Sequence, residues 1–241
     1  MLWLAVPLVC ALADDARTPV VVELFTSEGC SSCPPADLLL SNLEKLQPIK
    51  EADIIVLSEH VDYWDRQGWA DPFASHFFTA RQQMYAHTFS IEDVYTPQMV
   101  VNGLPGFTGN DGPRSLKEIR SAAAMSHASV TASRKNATTL AVGVDHMPDG
   151  AKNVEILLAI TEDGLSSEVL RGENAGHKLS HTGVVRSLTS VTRFDVRKTP
   201  VYSADLPLNL HDDWNREKLH AVVLVQDHGT KRILGAARVG L

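Results

Sequence analysis

Three features are scarce in this sequence: cysteine, clustered positive charge and long apolar segments. Cysteine occurs only at Cys10, Cys30 and Cys33 among 241 residues, which is too few for a disulfide framework to hold the fold. The net charge is -7 and no run of lysine or arginine is present, so the basic face typical of nucleic-acid-binding proteins is missing. Apolar residues make up 44% and charged residues 21% of the chain, as in ordinary folded proteins. The composition therefore excludes a disordered chain and argues against nucleic acid as a partner.

The first residues have the pattern of an export signal. Residues 2–12 are wholly apolar, but the run is shorter than the roughly 20 residues that a membrane-spanning helix needs. Ala11-Leu12-Ala13 then supplies a small-residue cleavage pattern, followed by two aspartates. We predict a signal peptide at residues 1–13 and an exported protein, periplasmic or secreted, without a membrane span in the mature chain. Cleavage after Ala13 leaves only the second and third cysteines, in an oxidising compartment.

The two remaining cysteines stand between a predicted strand and a predicted helix. Residues 20–25 form a β-branched apolar run that predicts a strand. Cys30-Ser31-Ser32-Cys33 follows, and Pro34-Pro35 then suits the first turn of a helix that continues to about residue 46. A strand, a Cys-x-x-Cys pair and a helix in this order are typical of thioredoxin-like redox domains. Such a domain has a cis-proline opening the strand antiparallel to the central one, and the Thr96–Pro97 bond is predicted to be cis.

The character of the sequence changes after about residue 126. Helical spacing of apolar residues occurs near residues 75–88 and 113–123, whereas later segments alternate with a period of two and are separated by turn residues. We therefore predict an α/β thioredoxin-like domain at residues 14–127, followed by a mainly antiparallel β-sandwich-like domain at residues 128–241. All long helices are expected before residue 127.

The position of the cysteine pair predicts different chemical roles for Cys30 and Cys33. Cys30 is expected at a helix N-terminus, where free N–H groups and the helix dipole favour a thiolate. It is predicted to be the attacking thiol, more exposed and with a lower pKa than Cys33, which would resolve the mixed disulfide. Glu23 in the preceding strand is a candidate for proton transfer. A register change of one residue would turn Glu23 to the opposite face of the sheet.

A second group of candidate residues should share the edge of the sheet where the cysteines lie. Ligand sites lie beyond the carboxyl ends of parallel strands, and the His60 loop follows the second strand. The predicted substrate-binding residues in this loop and at the third strand are His60, Asp62, Tyr63, Trp64, Thr96 and Pro97. The alternative is a packed loop with hydrogen-bonded polar tips. His177 and His181 fit a solvated hairpin better than a metal site.

Several segments resemble one bacterial family. The matching segments are residues 22–37 (VELFTSEGCSSCPPAD), 60–65 (HVDYWD), 68–69 (GW), 95–103 (YTPQMVVNG) and 172–176 (GENAG). Together they are similar to a family of exported thioredoxin-like proteins catalogued as domain of unknown function 1223. The resemblance covers nearly the whole mature chain. It implies a thioredoxin-like domain followed by a β domain, and it supplies no established reaction.

These observations favour an exported thiol–disulfide oxidoreductase. Its partners would be protein thiols or disulfides, or a small thiol, and neither a cofactor nor a metal ion is required. One alternative is a binding module in which the cysteine pair, with His60, holds a soft metal such as Cu(I). Another is an interaction protein with an inert disulfide. A disulfide closing so short a loop removes little entropy from the unfolded chain, which favours the redox interpretation.

Overall fold

The computed structural model describes residues 17–241. The predicted signal peptide at residues 1–13 lies outside the described residues. The strands are β1 (Thr18–Thr26), β2 (Ala52–His60), β3 (Gln98–Val101), β4 (Phe107–Thr108), β5 (Ser129–Asn136), β6 (Thr139–Asp145), β7 (Asn153–Glu162), β8 (Leu165–Glu168), β9 (Lys178–His181), β10 (Val184–Asp195), β11 (Tyr202–Pro207), β12 (Leu219–Asp227) and β13 (Ile233–Gly240). The α-helices within this range are α1 (Pro34–Leu46), α2 (His76–Thr88) and α3 (Gly112–Ala123). All three helices precede residue 127, which confirms their predicted placement.

One mixed sheet of eight strands runs through both halves of the chain, in the order β13-β12-β7-β10-β2-β1-β3-β4. Strands β1 and β2 are parallel, and β3 is antiparallel to β1. The predicted fold class, an α/β thioredoxin-like domain followed by a β-sandwich-like domain, is wrong. The structure consists mostly of strands, and β10 of the second half joins the edge of β2, where the Ser58 N–H donates to the Gly183 carbonyl at 2.8 Å. An unpaired strand edge is a template for further pairing, and here the second half of the chain supplies the partner.

Three large apolar clusters, and a smaller one around Phe25 and Tyr85, fill the space around this sheet. The first lies between β1–β3 and the helices α1 and α3, with Leu24, Leu40 and Ile119 fully buried. The second joins the opposite face of β1 and β2 to β7, β10, β12 and β13. The third lies beneath a separate three-stranded sheet, β11-β6-β5, which covers β7 and β12. Because the second cluster contains residues from both halves, the halves share a core.

Local sequence signals explain where the helices begin. Helix α1 begins after Cys33, its N-cap, with two prolines in the first turn. It ends at Leu46, and the following C-cap residue Gln47 has a left-handed φ of 46°. Ser75 caps α2 by accepting a hydrogen bond from the Phe77 N–H at 3.2 Å. Asp111 caps α3 by accepting from the Arg114 N–H at 3.0 Å. Such caps satisfy N–H groups that lack a partner within the helix. Within residues 17–241, no helix has both the length and the apolar character that a membrane crossing requires.

Strands β8 and β9 form a small two-stranded sheet of their own. We call residues 165–181 the β8–β9 hairpin; its connecting loop spans residues 169–177. The hairpin pairs with neither of the larger sheets, and β9 contacts α1. Most of its residues are exposed, the buried ones being Val169, Asn174 and His181. The hairpin is therefore an appendage of the second half that lies against the first.

Candidate functional site

Cys30 and Cys33 form a disulfide between the end of β1 and the start of α1, with their Cα atoms 5.4 Å apart. Cys33 is the N-cap of the helix, and its N–H donates to the Cys30 carbonyl at 3.1 Å. Both sulfurs thus lie at a helix N-terminus, as the sequence predicts. The expectation that Cys30 is the more exposed cysteine is wrong, because both residues are 0% exposed. The intervening Ser31 and Ser32 are exposed.

The strand register brings some of the predicted substrate-binding residues to one end of the sheet. Thr26 pairs with His60, and Phe25 pairs with Gln98, so the ends of β1 and β2 and the start of β3 lie at one end of the sheet. The Thr96–Pro97 peptide bond is cis, which confirms that prediction.

Trp64 connects this edge to the cysteine loop. Its indole Nε1–H donates to the Thr96 hydroxyl at 2.8 Å. A Cβ placed at Gly29, the residue before Cys30, would lie 3.1 Å from the Cβ of Trp64. Pro97 packs close to the start of α1, because a Cβ placed at Gly109 would lie 3.0 Å from Pro97 and 3.3 Å from Ala36 on that helix. Thr96, Pro97 and Trp64 therefore line the same region as the disulfide.

The other predicted residues of this group have partners elsewhere. The Tyr63 hydroxyl donates to Gln82 at 3.3 Å on α2, and burial raises the pKa of Tyr63. Asp62 accepts a hydrogen bond from the Thr79 hydroxyl at 2.5 Å, also on α2. His60 is fully buried rather than open to a ligand. The loop is thus partly packed, as the alternative interpretation proposed.

Glu23 lies on the face of β1 that carries α2. Its carboxylate pairs with Arg81 at 2.6 Å and accepts a hydrogen bond from the Tyr85 hydroxyl at 2.7 Å. Glu59 lies 3.4 Å from the same guanidinium, and burial raises the pKa of Glu59 well above its usual value despite Arg81. The structure therefore places Glu23 in a buried ionic cluster with α2 and does not bring it to the cysteines.

Asp37, in the first turn of α1, carries a buried carboxyl that the sequence reasoning missed. It lies one helical turn after Cys33, and its N–H donates to the Cys33 carbonyl at 3.1 Å. Its side chain accepts a hydrogen bond from the Thr26 hydroxyl at 2.9 Å. Burial raises the pKa of Asp37 to about 7, against the opposing effect of His181. Asp37 and Cys33 are four residues apart, a spacing that places two residues on one face of a helix. This spacing was the sequence signal that could have identified Asp37.

Glu28, two residues before Cys30, anchors the β8–β9 hairpin. Its buried carboxylate accepts hydrogen bonds from Trp69 Nε1–H at 2.8 Å, from His181 Nε2 at 3.0 Å and from the Ser167 hydroxyl. Burial alone would raise the pKa of Glu28, but these hydrogen bonds leave it lowered. His181 was interpreted as part of a solvated hairpin; the hairpin is present, but this histidine is buried.

His60 belongs to the same buried group. Its Nδ1 lies 2.7 Å from Asp71, whose other hydrogen bonds include one from the Glu28 N–H at 2.8 Å. Burial alone would raise the pKa of Asp71, but the charge of His60 and these hydrogen bonds leave it lowered. The rings of His60 and His181 meet edge to face with centroids 4.6 Å apart. Ionisable residues from both halves of the chain thus form one buried network next to the cysteine loop.

The loop of the β8–β9 hairpin lies directly over the cysteine loop. The Asn174 side-chain amide donates to the carbonyls of Glu28 and Cys30, at 2.8 and 3.0 Å. The Glu173 carboxylate accepts from the Ser31 N–H at 3.2 Å. These contacts join residues that are more than 140 positions apart in sequence.

The described residues provide few candidate metal ligands near the cysteines. No group of three or more histidine, cysteine or acidic residues in the described part of the chain could hold a metal ion. The two cysteines are joined to each other, and His60 is held by Asp71 and by Ser58 at 3.2 Å. A tetrahedral metal site would need further ligands.

Comparison with solved structures gives an extensive match. The chain resembles the crystal structure of protein AGR_C_4864 from Agrobacterium tumefaciens, with 26% identity and a TM-score of 0.74, over 92% of this chain and 94% of that one. A domain of the outer membrane lipoprotein Omp28 from Porphyromonas gingivalis is matched at 12% identity over 48% of this chain and 89% of that one, with a TM-score of 0.25. A score that low carries no argument about the fold. No curated protein matches the chain.

The family comparison agrees with the resemblance drawn from the cysteine, His60 and cis-proline segments. The family model described as "Protein of unknown function (DUF1223)" matches residues 21–226. This range contains the disulfide, the buried ionisable network and the β8–β9 hairpin. The chain therefore belongs to the DUF1223 family.

Proposed function

We propose that this protein is an exported thiol–disulfide oxidoreductase that acts through Cys30 and Cys33. The observation that carries the proposal is the disulfide at the N-terminus of α1, with the buried Asp37 carboxyl one turn further along the helix. A helix N-terminus stabilises the thiolate that attacks in disulfide exchange. A carboxyl with a pKa of about 7 can both accept and return a proton near neutral pH.

The reaction follows from the two thiols of the reduced protein. The Cys30 thiolate attacks a partner disulfide, forms a mixed disulfide and releases one partner thiolate. The Cys33 thiol then gives its proton to Asp37 and attacks the Cys30 sulfur, which forms the Cys30–Cys33 disulfide and releases the second partner thiolate. The partner gains two electrons and the protein loses two. The Ser32 hydroxyl, 3.4 Å from the Cys30 sulfur, is placed to stabilise the attacking thiolate.

The remaining residues of the edge would shape the partner's path. Thr96, Pro97 and Trp64 are proposed as the wall against which a peptide or a small thiol lies. Trp64 lies next to Gly29 of the cysteine loop and binds Thr96, and Pro97 lies close to the start of α1. His60 is proposed to act as a positioning residue, because its partner Asp71 also binds the backbone of the loop at Glu28. The proposed export rests on the pattern of residues 1–13 and places the disulfide in an oxidising compartment.

Trapping of mixed disulfides tests this function. In Cys33→Ser the resolving thiol is gone, so partners should remain bound to Cys30 and appear as adducts on non-reducing electrophoresis of protein isolated from the exporting cell. Cys30→Ser is the matched control and should trap none. Adducts in neither variant, or equal adducts in both, would contradict the assigned roles.

The full burial of both cysteines favours a second candidate, an inert structural disulfide. The two functions differ in reduction potential. Structural disulfides of secreted proteins lie below about -300 mV, whereas catalytic pairs lie between about -270 and -120 mV. Equilibration of the oxidised protein with redox buffers of known potential therefore separates them. A potential below about -300 mV, together with an absence of trapped adducts, would support the structural role.

A further inference from the structure

The loop of the β8–β9 hairpin contains one buried residue among exposed ones. Residues 170–173 and 175–178 are all exposed, whereas Asn174 is 6% exposed. Its amide donates to two backbone carbonyls of the cysteine loop, those of Glu28 and Cys30. Next to it, Glu173 accepts from the Ser31 N–H. Asn174 thus attaches the loop of the hairpin to the backbone of the cysteine loop, before and after the side chain of Cys30.

The hairpin is held mainly by polar contacts. Ser167 and His181 bind the Glu28 carboxylate, and Val169 is the apolar residue of the hairpin that is fully buried, at 1% exposure. The neighbouring Leu170 is 73% exposed. Segments with few buried apolar contacts open at a lower free-energy cost than the core does. The free energy needed to open this hairpin is therefore expected to be well below the free energy of global unfolding.

We propose that the β8–β9 hairpin is a displaceable cover, and that the Cys30–Cys33 disulfide reacts only after Asn174 and Glu173 leave the cysteine loop. Both sulfurs are inaccessible while the cover is closed, although the serines between them are exposed. Opening frees the Ser31 N–H and the position on the Cys30 carbonyl that Asn174 occupies beside the Cys33 N–H, and an extended polypeptide can bind such backbone groups. The cover therefore favours partners with an extended chain, and that part of the inference rests on the proposed function.

Reduction by a water-soluble trialkylphosphine tests the cover without a physiological partner. The phosphine attacks one sulfur, the S–S bond breaks, and the other sulfur leaves as a thiolate that takes a proton. Water then hydrolyses the sulfur–phosphonium bond, which gives the second thiol and a phosphine oxide. Asn174→Ala removes two hydrogen bonds of the closed state and should accelerate reduction roughly 10- to 30-fold. Asn209→Ala, at an exposed asparagine of another loop, is the matched control and should leave the rate unchanged.

Glu173→Ala provides a second variant that carries little risk to folding, because Glu173 is exposed. It removes the acceptor of the Ser31 N–H and should accelerate reduction roughly 2- to 5-fold. Glu168→Ala, at an exposed position on β8 of the same hairpin, is its control. If Asn174→Ala fails to fold, the comparison of Glu173→Ala with its control Glu168→Ala tests the proposal by itself. Wild-type rates in the folded Asn174 and Glu173 variants would overturn the proposal.

The urea dependence of the reduction rate separates local from global opening. Opening of the hairpin exposes little surface, so the rate should change little with urea below the unfolding transition. A rate that rises with urea as steeply as the unfolding equilibrium constant would also overturn the proposal, because the disulfide would then react from the unfolded chain. The phosphine experiment and the trapping experiment can fail independently. A cover can protect an inert disulfide, and an active disulfide can react without any opening of the hairpin.

Discussion

Replacement of Asp37 by asparagine should remove a pH-dependent loss of stability. Burial raises the pKa of this carboxyl from 3.8 to about 7 in the folded protein, so between these pH values the folded state binds a proton that the unfolded state has released. Its contribution is therefore most favourable below about pH 4 and is lost as the pH rises towards 7. A pKa difference of about 3 corresponds to about 4 kcal/mol. Asparagine does not ionise, and its side-chain oxygen can still accept the Thr26 hydrogen bond.

Urea unfolding of the oxidised protein at pH 5 and at pH 8 measures this effect. The stability of Asp37→Asn relative to wild type should increase by about 2 to 3 kcal/mol between pH 5 and pH 8. The remaining part, roughly a third of the pH-dependent loss of wild-type stability, has already occurred below pH 5. The comparison between pH values cancels any constant cost of placing an amide in the site. Asp93→Asn, at an exposed position, is the matched control. A difference between Asp37→Asn and wild type that does not change with pH would refute the assignment of a raised pKa.

Two further substitutions test the packing around the site. Glu23→Gln removes the carboxylate nearest to the buried Arg81 guanidinium and leaves Glu59 at 3.4 Å, so it should lower the free energy of unfolding by about 1.5 to 3 kcal/mol. Asp205→Asn, which breaks an exposed ion pair, should cost less than about 1 kcal/mol, and equal costs would contradict the buried cluster. Gly103 has a φ of +64°, and a Cβ there would lie 2.0 Å from a carbonyl oxygen of the β12–β13 turn. Gly103→Ala should therefore cost about 2 kcal/mol or more, against about 1 kcal/mol for Gly150→Ala, which has a positive φ and no neighbour within 4 Å; urea unfolding measures both, and a smaller cost at Gly103 would show that the turn can move away.

The elements that sequence patterns predicted are those whose signals are local. The run at residues 20–25, the prolines after Cys33 and the helical spacing near residue 80 each indicate an element without reference to the rest of the chain, and β1, α1 and α2 are present. Which strand lies at the free edge of β2 is not a local property. The pairing of β2 with β10 joins residues more than 120 positions apart. Period-two alternation cannot reveal such a partner, and the predicted fold class failed for that reason.

In the candidate site, too, the residues that short motifs indicate were predicted, and those that depend on distant parts of the chain were not. The cysteine pair and the cis bond at Pro97 follow from short motifs, and the structure contains both. Glu28, Asn174 and His181 were missed, because a polar residue in a loop is expected to be solvated. Their burial depends on one another: the bond between Glu28 and His181 spans 153 positions. Such mutual satisfaction of buried polar groups is visible only when both halves are in place.

The shared core makes a specific prediction about a chain that ends at residue 127, the sequence-based domain boundary. Without the second half, Val21, Ile55 and Leu57 lose the apolar cluster that they share with β7, β10, β12 and β13, and the Glu28 carboxylate loses Ser167 and His181. Burial of large apolar side chains contributes about 1.5 to 3 kcal/mol each, so the loss is comparable to the 5 to 15 kcal/mol that holds a typical domain. We expect residues 17–127 alone to lack a cooperative unfolding transition by circular dichroism, whereas residues 17–241 should unfold cooperatively. A cooperative transition of the shorter chain, with the disulfide formed, would show that the first half folds independently and that the eight-stranded sheet is an assembly of two domains.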